Sequence, residues 1–256
     1  MNLPYFDLHG KVALITGGAT GIGKGIAEGL AEAGASIVIA ARRYEKCQQT
    51  CDEIQGKTGV DTLPQACDIN QEKEVEELVE NVIEEFGFID ILVNNSGIGG
   101  SEKPILNMTG DDWDSVLNTN LKGIVTLSRA AVGKMVARGR GGKVINVASI
   151  LGKIAWPNMS SYCASKSGCI QLTKVMALEW TKFNIQANAI VPGYIKTPMN
   201  TEFFDSQAGK NVIRSDIPMR RLGTIEELKG VAVLLASSAS SFMTGSAVVI
   251  DGGQTC

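Results

Sequence analysis

Hydrophobic residues in this chain fall into seven short runs, separated by longer stretches with a helical period. The runs are rich in β-branched residues, which favour strands. Four of them (the first, second, fourth and last) are almost continuously apolar, which is typical of strands buried on both faces of a parallel sheet. The predicted strands are 11–16, 36–41, 61–68, 89–95, 142–149, 185–191 and 246–251.

Between these runs the pattern predicts helices at 21–33, 43–56, 71–86, 111–137, 160–182 and 224–237. Regular strand–helix alternation predicts an α/β fold with a doubly wound parallel sheet of about seven strands and helices on both faces, a Rossmann fold. We expect one domain over 1–256. The least regular segment, 194–222, is expected to form a substrate-binding lid, since long irregular segments in compact domains tend to be functional or mobile.

Composition narrows the function classes. The chain has 256 residues and a net charge of −3, so nothing favours a nucleic-acid or membrane partner. No secretory signal is visible and the six cysteines form no CxxC pair, so a cytoplasmic location is expected. The single histidine, His9, precedes the first strand, which argues against a Ser-His-Asp hydrolase and a histidine-based metal site.

Five glycines lie within residues 16–25, directly after the first predicted strand. A helix N-terminus presents unpaired N–H groups and a partial positive charge, which bind an anion when side chains leave room. Gly17, Gly21 and Gly23 would supply that room. Their spacing is GxxxGxG rather than the common GxGxxG, and a tight turn with close helix–strand packing is the alternative explanation.

A second group of polar residues belongs to the same region of the predicted sheet. Tyr162 and Lys166 are four residues apart, on one face of helix 160–182. Ser149 ends the predicted strand 142–149. Strand carboxyl ends and helix N-termini meet along one edge of a parallel sheet, so these three residues and the glycine loop can share a cleft.

Together these motifs resemble the short-chain dehydrogenase/reductase family over essentially the whole chain. TGGATGIG at 16–23 resembles its TGxxxGxG loop, and NNSG at 94–97 its NNAG motif with serine in place of alanine. VPGYIKTPM at 191–199 is similar to its PG motif, and VIDGG to its last strand. Asn120 matches the family's active-site asparagine; Ser149, Tyr162 and Lys166 match its serine and YxxxK.

The residues present suit carbonyl chemistry without histidine. Tyr162 would act as general acid/base, and the ammonium of Lys166 would stabilise its phenolate and bind the cofactor ribose. Ser149 would hydrogen-bond the substrate oxygen; by resemblance, Asn120 would hold a proton relay to Lys166. The resemblance also implies cofactor contacts from Gly17, Thr20, Gly21, Ile22, Gly23, Asp68, Ile69, Asn95, Gly97, Tyr162, Lys166, Pro192, Gly193, Ile195 and Thr197.

The end of the second strand favours NADP(H) over NAD(H). Ala41 occupies the place where NAD enzymes carry an acid, and Arg42 and Arg43 follow it. Two guanidinium groups attract a 2′-phosphate, whereas a carboxylate would repel it. The glycine loop differs from that of many NADP-dependent members of the family, because Thr20 occupies a position where their loop carries a basic residue.

The predicted activity is interconversion of a carbonyl and a secondary alcohol on a small-molecule substrate. Similar family members are 3-oxoacyl-(acyl carrier protein) reductases and gluconate 5-dehydrogenase-like enzymes, so the substrate is either a 3-oxoacyl thioester or a small keto or sugar acid. The resemblance also implies a homotetramer. The alternative is a nicotinamide-binding regulator or scaffold without catalysis.

Overall fold

The computed structural model describes residues 3–198 and 200–256; Met199, the last residue of the PG motif, and the first two residues lie outside them. Its centre is a parallel seven-stranded sheet with strand order β3-β2-β1-β4-β5-β6-β7. The predicted fold class is therefore confirmed. The strands are β1 (Val12–Thr16), β2 (Ser36–Ala41), β3 (Thr62–Ala66), β4 (Ile91–Asn94), β5 (Gly142–Val147), β6 (Ile185–Pro192) and β7 (Ala247–Ile250).

Helices cover both faces of this sheet. They are α1 (Gly21–Glu32), α2 (Tyr44–Thr58), α3 (Glu72–Phe86), α4 (Gly110–Leu117), α5 (Gly123–Arg138), α6 (Ser160–Trp180), α7 (Thr201–Asp205), α8 (Gln207–Asp216) and α9 (Glu226–Ala236). A π-helical turn, Asn118–Lys122, joins α4 to α5.

Two apolar layers hold the helices to the sheet. Along β1, Leu14 points into the layer that α3, α5 and α6 cover, and its neighbour Ile15 points into the layer beneath α1, α2 and α9. Both side chains are fully buried. This explains the continuous apolar runs in the sequence. Successive residues of a strand point to opposite faces of the sheet, and here both faces are covered by helices and buried from water.

The chain reverses its direction of winding at β1, which pairs with β2 on one side and β4 on the other. Ligands bind doubly wound sheets at this reversal point, outside the carboxyl ends of the strands. The segments that follow β1, β4, β5 and β6 all leave from that edge. These segments and the ends of β2 and β3, which carry Arg42, Arg43, Asp68 and Ile69, hold the candidate site residues.

Two predictions about the elements were wrong. The stretch 111–137 is not one helix, because the π-helical turn interrupts it. The segment 194–222 is not irregular throughout, because it contains α7 and α8. The two helices have only five and ten residues, so each contains few of the apolar positions from which a helical period is recognised.

In the described part of the chain, no helix has both the length and the apolar character needed to cross a membrane.

Candidate active site

The glycine loop is built by close backbone contacts. Gly17 has a φ of +63°, and a Cβ there would lie 2.8 Å from the Asn95 side-chain nitrogen. A Cβ on Gly23 would lie 2.4 Å from the Gly17 carbonyl oxygen. Asn95 Nδ2 donates to the Thr16 and Gly17 carbonyl oxygens at 3.0 and 3.1 Å. The loop therefore requires glycine for its packing and is tied to the segment after β4.

The first turn of α1 remains open to a ligand. Thr20 precedes the helix with an exposed side chain that makes no capping hydrogen bond. At Gly21, with φ at +56°, the atom nearest to where a Cβ would stand is the Thr197 methyl carbon, at 3.8 Å. The N–H groups of Gly21, Ile22 and Gly23 belong to this first turn. Tight packing at the glycines is therefore observed, and an anion cradle at the same helix terminus stays a prediction.

Basic and acidic positions flank this cradle at the ends of β2 and β3. Arg42 and Arg43 are exposed after β2, and among the described residues neither forms an ion pair. Asp68 accepts hydrogen bonds from the backbone and side-chain nitrogens of Asn70, both at 3.0 Å. Ile69 is only 8% exposed and its side chain belongs to the core, which leaves its backbone for any ligand contact.

Lys166 connects α6 to the end of β5. It is 4% exposed, and its Nζ donates to the Val147 carbonyl oxygen at 2.8 Å. The same Nζ lies 5.7 Å from the centroid of the Tyr162 ring. A Cβ on Gly97 would lie 3.5 Å from it, so the segment after β4 reaches the ammonium. The predicted Tyr162–Lys166 pair therefore exists and abuts that segment.

Asn120 lies on the π-helical turn and is fully buried. Its Oδ1 accepts from the Ile98 N–H at 2.8 Å, and its Nδ2 donates to the Ile98 carbonyl at 2.9 Å. Nδ2 also donates to Ser165 Oγ at 3.1 Å. The π-helical turn directs this amide towards α6, which agrees with the frequent occurrence of such turns at functional sites.

Ser149 does not end a strand as the sequence predicts, because β5 stops at Val147. It begins a short 3₁₀ turn, Ile150–Gly152, and its Oγ accepts from the Leu151 N–H at 3.2 Å. The side chain is half-buried at the carboxyl edge of β5. One oxygen lone pair and the hydroxyl proton remain for another partner.

The PG motif closes the other side of this edge. Pro192 ends β6, and the Gly193 N–H donates to the Ile250 carbonyl of β7 at 2.9 Å. Ile195 is buried and forms an isolated bridge with Gly223. Beyond it, the Thr197 methyl approaches Gly21, which brings the start of the 194–222 segment against the glycine loop.

Ser165 belongs to the same group of side chains, and sequence reasoning missed it. It is fully buried, and its Oγ donates to the Tyr162 carbonyl at 2.8 Å while accepting from Asn120. Its position three residues after Tyr162, on the same helix face, was the available signal. Thr16 was also missed: its hydroxyl oxygen accepts from the backbone N–H groups of Asn95 and Ser96 at 3.3 and 3.4 Å.

A cavity of about 350 Å³ adjoins the outer side of the glycine loop, between α1, α2 and α9. Thr20 and Lys24 line it on one side, with Lys46 and Pro198 opposite. Tyr162 and Lys166 are not among its lining residues. It extends the open side of the loop, whereas the residues predicted to do chemistry converge on the inner side.

Comparison with known proteins identifies the family of the chain. Residues 17–255 match the family model described as enoyl-(acyl carrier protein) reductase. A short-chain type dehydrogenase/reductase from Mycobacterium marinum is 42% identical, with a TM-score of 0.93 and 98% of each chain covered. The chain belongs to the short-chain dehydrogenase/reductase family. The predicted family and its oxidoreductase class are confirmed.

Two further members of the family bear on cofactor and substrate. A 3-oxoacyl-[acyl-carrier-protein] reductase from Thermotoga maritima is 39% identical over 96% of this chain and 98% of its own length. A gluconate 5-dehydrogenase from Burkholderia cenocepacia, solved with NADP and tartrate, is 37% identical, with a TM-score of 0.93 and 98% and 97% of the two chains covered. These relatives give no support to a non-catalytic regulator.

Proposed function

We propose that the protein is an NADP(H)-dependent oxidoreductase that interconverts a carbonyl and a secondary alcohol. The observation that carries this proposal is the convergence of Tyr162, Lys166 and Asn120 beside the glycine loop. Lys166 Nζ lies 5.7 Å from the Tyr162 ring, and Gly97 stands between the lysine and Asn120. Asn120 and Lys166 are almost completely buried, and burial of polar groups costs free energy unless they are hydrogen-bonded.

In this proposal Tyr162 donates the proton to the carbonyl oxygen in reduction and removes it from the alcohol in oxidation. The Lys166 ammonium, 5.7 Å from the centroid of the Tyr162 ring, donates to a ribose hydroxyl. Ser149 Oγ positions the substrate oxygen through its free hydroxyl proton. Asn120 holds the Ile98 backbone and connects Lys166 to a proton relay. A bound nicotinamide supplies or accepts the hydride.

The cofactor is expected to lie across the reversal point of the sheet. The open first turn of α1 would hold its diphosphate, and the exposed Arg42 and Arg43 would bind the 2′-phosphate. The other residues predicted to contact the cofactor lie on segments that leave the sheet at this edge: Asp68, Ile69, Asn95, Gly97, Pro192, Gly193, Ile195 and Thr197. The NADP bound to the Burkholderia enzyme supports this choice.

The test is NADPH oxidation, followed by absorbance, with a panel of ketones, β-keto thioesters and keto sugar acids. We expect turnover with at least one of them, and tighter binding of NADPH than of NADH. Absence of turnover across the panel, together with absence of NADPH binding, would refute the proposal. The two substrate classes named by the relatives, 3-oxoacyl thioesters and sugar acids, are both candidates.

We further propose that 1–256 forms one domain, with 194–222 covering the substrate, and that it assembles as a cytoplasmic homotetramer. Exposed apolar residues on α5 and α6, namely Val125, Val175 and Leu178, support assembly. All six cysteines are free thiols, which suits a reducing compartment. Sedimentation of the unmodified protein and of Leu178→Glu tests the assembly; a monomer in both would contradict it.

A further inference from the structure

Buried polar side chains form a hydrogen-bonded chain in the apolar layer that α5 and α6 cover. Asn94 on β4 and Asn146 on β5 are paired in the sheet, and Asn94 Nδ2 donates to Asn146 Oδ1 at 2.8 Å. The same Nδ2 donates to Ser128 Oγ on α5 at 3.0 Å. Asn146 Nδ2 in turn donates to Thr173 Oγ1 on α6 at 2.8 Å. These side chains are at most 3% exposed, so water does not compete for their hydrogen bonds.

Thr173 is polar on an otherwise apolar stretch of the buried face of α6. After Lys166, the buried residues of this helix are Cys169, Thr173, Met176 and Ala177. The Thr173 hydroxyl donates to the Cys169 carbonyl at 2.8 Å while it accepts from Asn146. Apolar contacts have no preferred direction, whereas a hydrogen bond requires a particular distance and angle. The Asn146–Thr173 bond therefore fixes the position of α6 along β5.

Lys166 is held between the same two elements. Its Nζ donates to the carbonyl oxygen of Val147, the residue that follows Asn146 on β5, at 2.8 Å. Lys166 and Thr173 are seven residues apart, about two turns along one face of α6. Two successive residues of β5 therefore bind α6 at two separate points. Together the two points set the direction of the helix as well as its position.

The Asn146–Thr173 bond contributes position more than stability. When two hydrogen-bonded polar groups are both replaced by apolar groups of the same shape, the free energy of unfolding changes little. An apolar pair at these two positions would let α6 shift on β5, whereas the polar pair restricts the packing to one arrangement.

We propose that Asn146 and Thr173 are positioning residues for Lys166. Their hydrogen bond keeps the Lys166 ammonium on the Val147 carbonyl and 5.7 Å from the centroid of the Tyr162 ring. The inference rests on the proposed function, in which Lys166 binds the cofactor ribose and Tyr162 transfers the proton. Asn146 and Thr173 act through Lys166 and are not themselves catalytic residues.

The experiment separates position from stability with matched variants. They are Thr173→Val, Asn146→Leu, the double variant and Thr173→Ser, which keeps the hydroxyl. The control is Asn188→Leu on β6, which removes another buried amide, bonded to the Met243 carbonyl at 2.8 Å. Each protein is measured by urea unfolding, NADPH titration and steady-state kinetics with the best carbonyl substrate of the panel. The rate at which acetic anhydride acetylates Lys166 is measured by mass spectrometry without cofactor.

We expect Lys166 to react at least about fivefold faster in Thr173→Val and in Asn146→Leu, with losses of kcat and NADPH affinity by a similar factor. The double variant should regain stability, because both polar partners are gone, but neither its activity nor the protection of Lys166 should return. Thr173→Ser should resemble the unmodified protein. Asn188→Leu should lose stability alone.

Three results would overturn the inference: unchanged acetylation of Lys166 in both single variants, equal effects on Lys166 in Asn188→Leu, or activity that returns with stability in the double variant. Acetylation requires no turnover, so it reports the position of Lys166 independently of the reaction. Turnover with no carbonyl compound, together with the expected acetylation pattern, would instead refute the proposed function.

Discussion

Asn120 on the π-helical turn and Ser165 on α6 are joined by a hydrogen bond of 3.1 Å from Nδ2 to Oγ. The Ser165 hydroxyl donates its own proton to the Tyr162 carbonyl at 2.8 Å, and the Asn120 amide holds both polar groups of the Ile98 backbone. The helix that carries Tyr162 and Lys166 is thereby linked to the segment after β4 by buried polar contacts. Movement of one element would break hydrogen bonds to the other.

Replacement of Ser165 by alanine should therefore affect both stability and turnover. The change removes one of the two acceptors of Asn120 Nδ2 in a fully buried place, which costs about 1–3 kcal/mol of unfolding free energy. Turnover should fall because Asn120 is less firmly positioned. The matched control is Ser167→Ala, an exposed serine on the same helix. Urea unfolding and steady-state kinetics measure the two effects; similar results for the two variants would contradict the assigned role.

Tyr162→Phe removes the proposed proton donor and keeps the ring. General acid catalysis typically contributes about 10²–10⁴-fold, so turnover should fall at least 100-fold while the NADPH dissociation constant changes little. Tyr5→Phe, at a tyrosine that is 65% exposed, serves as the control. Retention of a tenth or more of the activity would show that another group supplies the proton.

Arg42 and Arg43 should determine cofactor choice. Replacing both with alanine removes charge-assisted hydrogen bonds, each worth about 1.5–3 kcal/mol, or roughly 10- to 150-fold in affinity. NADPH binding should weaken by at least that range, and NADH binding should remain nearly the same. Fluorescence titration of both cofactors, with Arg140→Ala as an exposed control, measures this. Equal losses of affinity for NADPH and NADH would show that the two arginines do not recognise the 2′-phosphate.

Lys143 on β5 should make stability depend on pH. Burial lowers the pKa of its ammonium to about 8, from 10.5 for an ordinary lysine. Between these values the unfolded chain binds more protons than the folded one, so the unfolding free energy rises with pH. Below about pH 8 both states carry the charge, and the folded state bears the cost of burying it.

Lys143→Met should consequently stabilise the protein near pH 7, by about 1 kcal/mol once solvent screening is allowed for. The advantage should shrink as pH approaches 10.5. Ser240, the hydrogen-bond partner of Lys143 at 3.2 Å, keeps its bonds to Leu235 and Ser237. Urea unfolding of both proteins across this pH range tests the prediction. A Lys143→Met variant that is less stable than the unmodified protein at neutral pH would refute it.

The sheet was predictable because its strands are buried on both faces. Ile37, Val38 and Ile39 are all inaccessible to solvent, so every position of that run had to be apolar. The helix α8 was not predicted, because it has only ten residues and its apolar residues Val212 and Ile213 are too few to define a helical period. The π-helical turn was also invisible, since one extra residue in a helical turn leaves no distinct hydrophobic pattern.

The candidate site also contains some residues that the sequence could predict and others that it could not. Tyr162 and Lys166 are four residues apart, so the sequence alone placed them on one face of a helix. Asn120 was identified only through the family resemblance, because its approach to Ser165 depends on the π-helical turn.

The strand order places the proposed residues for cofactor choice and those for proton transfer on opposite sides of the sheet's reversal point. Arg42 and Arg43 leave the sheet from β2, on one side of the reversal point, whereas Ser149, Tyr162 and Lys166 come from β5 and α6 on the other. In the proposed function, cofactor choice and proton transfer therefore depend on separate parts of the chain, so a mutation can change one of them without altering residues that serve the other.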